Sequence, residues 1–325
     1  MKRLTLIALI VVMVISVFSF SSLAADLKIA AILPGPIGDE GWNMIGYNAL
    51  KAAEKKYGAE IAYTERTPVA DFEEIFQGYA LAGFDIVWGH GFQFIDAATK
   101  VAPNFPKTIF AVATDLFCQP PNGCSLAIYE AQNGFMQGVV AALLTKTNKV
   151  GYIGGMGVSS IIKSKKGFEA GVRYISPDVE ASNAIVGSFM DPVKSKEIAK
   201  AMAQKGIDII VADADAGNIG IIEAAREEGI KIIGSSGDYG ESYPDVVITS
   251  GVEDFSKALG ALIDDVLEGT FEPKIYEAGL REGATWLAPF REHEKDVSKE
   301  VMAQIRQVVV DLISEKIDLP KLLED

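Results

Sequence analysis

Aromatic rings and carboxylates gather in short runs that follow strand-like stretches of this chain. They are Asp39, Trp42 and Asn43; His90, Gly91 and Phe92; Asp115; Phe189 and Asp191; Asp213, Asp215 and Gly217; and Asp238. Such a set suits a flat ring carrying hydroxyls: an aromatic face stacks on the ring, and a carboxylate accepts hydrogen bonds from ring N–H or sugar O–H groups. Some of these residues are equally fit for structural duty. Asp39 can cap a helix that follows it, and Asp191 before Pro192 has the composition of a helix N-cap. His90 fits a packed cleft wall, and His293, in Arg-Glu-His-Glu-Lys, fits a solvated surface.

Covalent and metal chemistry are poorly served. The two histidines, at 90 and 293, form no HExxH pattern, and neither a GxSxG elbow nor a GxxxxGK[ST] phosphate loop occurs. The glycines at 151, 154, 155 and 157 have the wrong spacing for a dinucleotide loop. Carboxylates without an evident nucleophile point to binding without catalysis, cofactor or metal. Cys118 and Cys124 flank a turn-rich Gln-Pro-Pro-Asn-Gly stretch, and in an exported chain a local disulfide is expected between them.

The elements that must hold these loops alternate in type. Strands are predicted at 28–33, 60–64, 86–88, 108–112, 126–129, 150–153, 184–186, 209–212, 231–233 and 246–249. Helices are predicted at 44–57, 72–81, 134–145, 165–175, 195–204, 219–228 and 255–268. This is the α/β rhythm of parallel sheets, which bind ligands beyond the carboxyl ends of their strands. An internal repeat divides the chain. Gly83-Phe84-Asp85-Ile86-Val87 matches Gly206-Ile207-Asp208-Ile209-Ile210 at an offset of 123, and Asp115 and Asp238 are separated by the same 123 positions. Two doubly wound, Rossmann-like lobes are therefore expected, the first from 26–148 plus 252–280 and the second from 149–251 plus 285–325, joined by a three-strand hinge. Asp115 and Asp238 are expected to face each other across the cleft.

Length and charge agree. The 325 residues carry 49% hydrophobic side chains and a net charge of −14, enough for two cores and too acidic for a nucleic-acid partner. Lys2 and Arg3, the apolar run 4–20 and Ser22-Leu23-Ala24-Ala25 form an export signal over 1–25. No cysteine follows it, so a freely diffusing periplasmic protein, monomeric and without a lipid anchor, is expected.

The sequence resembles the basic membrane protein family of ABC-transporter substrate-binding proteins, the type that includes bacterial purine-nucleoside receptors. The stretches that carry the resemblance are Gly38-Asp39-Glu40-Gly41-Trp42-Asn43, Gly83 to Gly89, Gly187-Ser188-Phe189-Met190-Asp191-Pro192, Ala216-Gly217-Asn218 and Ile248-Thr249-Ser250. The resemblance implies a type I periplasmic binding-protein fold that closes on a purine nucleoside or nucleobase and delivers it to an inner-membrane permease. It also implies that Trp42 stacks on the purine, that Asn43 or Asp39 reads its edge, that Asp115 lines the cleft, that Phe189 covers the opposite face, and that Asp238 takes the ribose hydroxyls. Trp42 stands where such receptors commonly carry Phe, and Glu253 where many carry Lys. The alternatives are a receptor for another flat or sugar-like solute and a periplasmic nucleoside-processing enzyme.

Overall fold

A computed structural model describes residues 27–324; the expected export signal at 1–25 lies outside them. The first sheet is built from β1 (Lys28–Ile32), β2 (Glu60–Thr64), β3 (Ile86–Gly89), β4 (Ile109–Ala113), β5 (Gly123–Ile128) and β11 (Ile275–Ala278), in the order β11-β5-β4-β3-β1-β2. The second is built from β6 (Lys149–Gly154), β7 (Glu180–Ile185), β8 (Ile209–Asp213), β9 (Lys231–Ser236), β10 (Val247–Glu253) and β12 (Thr285–Leu287), in the order β12-β10-β9-β8-β6-β7. Each strand of one sheet thus has a counterpart at the same place in the other. All pairings are parallel except β10 with β12.

The repeated Gly-x-Asp motif has one structural role in both halves. Asp85 precedes β3 and its carboxylate accepts from the Lys28 N–H at 2.8 Å; Asp208 precedes β8 and accepts from the Thr145 hydroxyl and the Lys146 N–H. Each aspartate therefore ties the start of a central strand to the chain entering its neighbour.

Helices cover both faces, as parallel sheets require. On the first sheet α1 (Trp42–Tyr57) packs against α9 (Ser256–Glu268) over one face, while α2 (Phe72–Leu81) and α3 (Ile95–Val101) cover the other. On the second, α6 (Pro192–Gln204) pairs with α7 (Asn218–Glu228), and α4 (Glu130–Leu144) pairs with α5 (Ser159–Ile175). The short α8 (Tyr239–Ser242) follows β9, and α10 (Lys299–Ile313) and α11 (Leu319–Leu322) end the chain.

Helix α4 departs from expectation. Placed by sequence in the first lobe, it packs instead against α5, β10, β12 and α10. Four glycines explain this. A Cβ at Gly134 would lie 1.9 Å from the Ser164 carbonyl oxygen, at Gly138 2.2 Å from that of Phe168, at Gly167 2.2 Å from that of Ala131, and at Gly171 2.2 Å from that of Phe135. Two Gly-x-x-x-Gly faces thus let α4 and α5 touch backbone to backbone along two turns of each helix. The chain consequently passes from the first sheet to the second at Tyr129–Glu130, returns after Glu253, and crosses again between Ala278 and Thr285.

Two further expectations are corrected. Strand β7 covers Glu180–Ile185 rather than 184–186, because it is a half-exposed edge strand whose polar residues masked it. Cys118 and Cys124 are free thiols: Cys118 is exposed, whereas Cys124 on β5 is buried against the first core. The neck of their loop is closed instead by paired backbone hydrogen bonds between Gln119 and Gly123, at 2.7 and 3.0 Å.

Candidate functional site

A cavity of about 620 Å³ opens between the carboxyl ends of the two sheets, where the loops after β1, β3, β4, β6, β7, β8 and β9 converge. Its size is that of a small-molecule site. The two lobes meet around it. The Asp215 carboxylate of the second lobe lies against Gly41 and Trp42 of the first, and Glu40 and Gly237 approach so closely that a Cβ on Gly237 would fall 2.1 Å from the Glu40 carbonyl oxygen.

Trp42 opens α1 and lines the cavity. His90 is stacked on its ring at 4.2 Å between centroids, and Phe255 meets it edge-on at 5.4 Å. The indole Nε1 donates to the His90 carbonyl oxygen at 3.2 Å, while His90 Nε2 donates to the Trp42 carbonyl oxygen at 2.8 Å. Burial holds the imidazole pKa down to about 4, so this histidine is neutral and serves as a fixed backing for the indole. Gly91, Phe92, Asp115, Phe189 and Asp215 also line the cavity.

The remaining expected residues have other duties. Asp39 does not line the cavity; its carboxylate accepts from the backbone N–H groups of Gly41, Asn43 and Met44 and caps α1. Asn43 borders the cavity, but its side chain is committed, with Nδ2 donating to Asp39 and Oδ1 accepting from the Gly35 N–H. Gly217 is buried, and its N–H donates to the Phe189 carbonyl oxygen at 3.1 Å, so it holds the Phe189 loop. Asp238 lies outside the cavity in a two-point ion pair with Arg291, at 2.9 and 2.6 Å. It therefore neither faces Asp115 nor reaches the ligand space. Asp191 caps α6 through the Lys194 N–H.

Asp115 instead bridges the lobes, accepting from Ser159 Oγ at 3.0 Å and pairing with Lys163, both on α5. Burial alone would raise its pKa, but these two partners hold it below the usual carboxylate range. Asp215 goes the other way, pushed up to about 7 by burial and by the neighbouring charge of Asp39.

Asp213 at the end of β8, named from the sequence among the strand-end carboxylates, is joined on the inner wall by two acids not read there as ligand-binding residues: Glu130 at the start of α4 and Glu253 at the end of β10. Asp213 accepts from the Tyr152 hydroxyl at 2.5 Å, and Glu253 accepts from Asn133 Nδ2 at 2.7 Å. Burial raises the pKa of all three, and Glu130 and Glu253 are near enough to influence each other's ionisation. Asp213 and Glu253 were visible as strand ends, but nothing in the local sequence announced that Glu130, carried by a helix assigned to the wrong lobe, would join them.

Residues 26–322 match the family described as ABC transporter substrate-binding protein, PnrA-like (Bmp). The chain belongs to the Bmp family. Basic membrane protein A of Borreliella burgdorferi is 31% identical to it, over 98% of this chain and 95% of the relative. A purine-binding protein of Brucella abortus is 30% identical, over 84% of this chain and 78% of the relative. Among solved structures, an ABC transporter solute-binding protein from Aeropyrum pernix superposes with a TM-score of 0.77 at 22% identity, over 89% of this chain and 92% of that one. The fold is that of type I periplasmic solute-binding proteins. As a Bmp protein the chain is an ABC-transporter substrate-binding protein, which takes up a small molecule outside the cytoplasm and delivers it to a permease; such proteins are not enzymes.

Proposed function

We propose that this Bmp protein captures a purine nucleoside or nucleobase, as a freely diffusing periplasmic receptor. The observation that carries the reading is the meeting of Trp42, on the first lobe, and Phe189, on the second, in one cavity also lined by carboxylates. Rings contributed by opposite lobes suit the two faces of a planar base. The indole is oriented in advance by His90, so little ordering is needed on binding. The carboxylates accept from the N–H and O–H donors that a purine and its ribose present. The purine-binding relative from Brucella supports the same class.

Calorimetric titration of adenosine, guanosine, adenine and glucose into the purified protein tests this. Saturable binding of the purines, with glucose inert, is expected; glucose binding with the purines inert would replace this reading by the sugar-like alternative.

A further inference from the structure

The cavity's polar lining is strongly one-sided. Among the described residues that border it, Lys163 is the only cationic side chain, and it is already paired with Asp115. The same lining carries Glu130, Asp213 and Glu253, of which Glu253 is only 4% and Asp213 8% exposed. Their neighbours leave them excess accepting capacity. Tyr152 donates to Asp213, with the Ser164 and Ser235 hydroxyls also close to it, and Asn133 donates to Glu253, with Ser236 close. Among the described residues no group of three or more acids, histidines or cysteines is disposed to hold a metal ion. A buried carboxylate that gains no donor keeps a large desolvation cost.

We propose that Glu253, with Glu130 and Asp213, is the specificity determinant of this cavity, selecting a ligand whose buried end is a cluster of N–H or O–H donors without negative charge and rejecting the phosphorylated form of the same molecule. The inference rests on the proposed purine reading only for the choice of first probe, since the wall acts on charge whatever ring is stacked. A phosphate brought here would meet three acids and no free cation. A donor cluster would meet carboxylates with accepting capacity beyond the single donors Tyr152 and Asn133. Burial raises the pKa of Glu130 and of Glu253, so a ligand that draws on either as a charged acceptor displaces a proton to solvent. Capture is then accompanied by proton release; the nearby charges of Asp213 and Asp115 favour the protonated form of Glu130 before capture.

Two matched pairs, adenosine with adenosine 5′-monophosphate and glucose with glucose 6-phosphate, are titrated by calorimetry in buffers of different ionisation enthalpy. The neutral member of whichever pair binds should bind at least 100-fold tighter than its phosphate and release close to one proton near pH 6. Glu253→Gln should abolish the proton release, and Glu253→Lys should narrow the discrimination at least tenfold. A phosphate bound within threefold of its neutral partner, or discrimination untouched by Glu253→Lys, overturns the proposal. Binding of glucose alone removes the purine reading and leaves the wall intact. Independently of any ligand, carbon-13 detection of the glutamate carboxyls should show Glu130 and Glu253 titrating together above the normal range; two separate ordinary titrations would also overturn it.

Discussion

Replacing Gly138 by alanine puts the architecture to a demanding test. The added Cβ would sit 2.2 Å from the Phe168 carbonyl oxygen and 3.0 Å from its carbon. Carbon–oxygen contacts are held beyond about 3.3 Å, so α4 and α5 must part by roughly 1 Å. Both obstructing atoms are backbone, and no rotamer change relieves them. Overpacking of this kind costs about 1–3 kcal/mol, and the upper part of that range applies here. Alanine's better helix propensity returns about 1 kcal/mol, leaving a net loss of about 1–2 kcal/mol. Gly78, in α2, is the control, because a Cβ there meets nothing within 4 Å and only the propensity gain remains. Urea unfolding of the two variants should move the midpoint in opposite directions, with Gly78→Ala stabilised by up to about 1 kcal/mol. Equal shifts, or a stabilised Gly138→Ala, would refute the backbone contact that docks α4 on the second lobe.

Three other outcomes follow from the site. Asp215, raised to about 7, contributes stability that is complete below pH ~4 and is lost as pH rises through about 7, at roughly 1.4 kcal/mol per unit. Glu130, Asp213 and Glu253 act in the same sense; His90, lowered to about 4, opposes them only as pH falls below its ordinary value, so the ligand-free protein should melt higher at pH 5 than at pH 8 in scanning calorimetry. Asp238→Asn should leave ligand affinity unchanged and cost about 1 kcal/mol of stability through the Arg291 pair, so a large affinity loss on titration would return Asp238 to the site. Lys163→Met removes a contact that holds the lobes together, and solution scattering should show a larger ligand-free radius than wild type, with the difference vanishing at saturating ligand.

The layout of the fold was readable because parallel strands buried on both faces leave continuous apolar runs, and because the Gly-x-Asp repeat marks the central strand of each half with a residue whose hydrogen bonds require it there. Helix α4 was misplaced since its docking depends on glycines paired across two helices, a relation invisible within either helix alone. At the site, Trp42, Phe92, Asp115, Phe189 and Asp215 follow strand ends and could be located by that rule. Asp39 and Asp238 obey the same rule but turn aside to a helix start and to Arg291, choices set by partners distant in sequence or by local cap geometry. Glu130 was missed for the converse reason: its place depends on where α4 docks.

The central claim, that a planar ligand is held between rings from the two lobes, is tested most directly at Trp42. The side chain lines the cavity and is backed by His90 and Phe255, so removing it empties one face of the sandwich. Loss of the stacking contact and of its buried area amounts to about 2–4 kcal/mol, a drop of roughly 30- to 1,000-fold in affinity. Calorimetric titration of adenosine into wild type and Trp42→Ala, with the fold of the variant checked by circular dichroism, should show tight binding in the first and weak or undetectable binding in the second. Wild-type affinity in a folded Trp42→Ala protein would contradict the account.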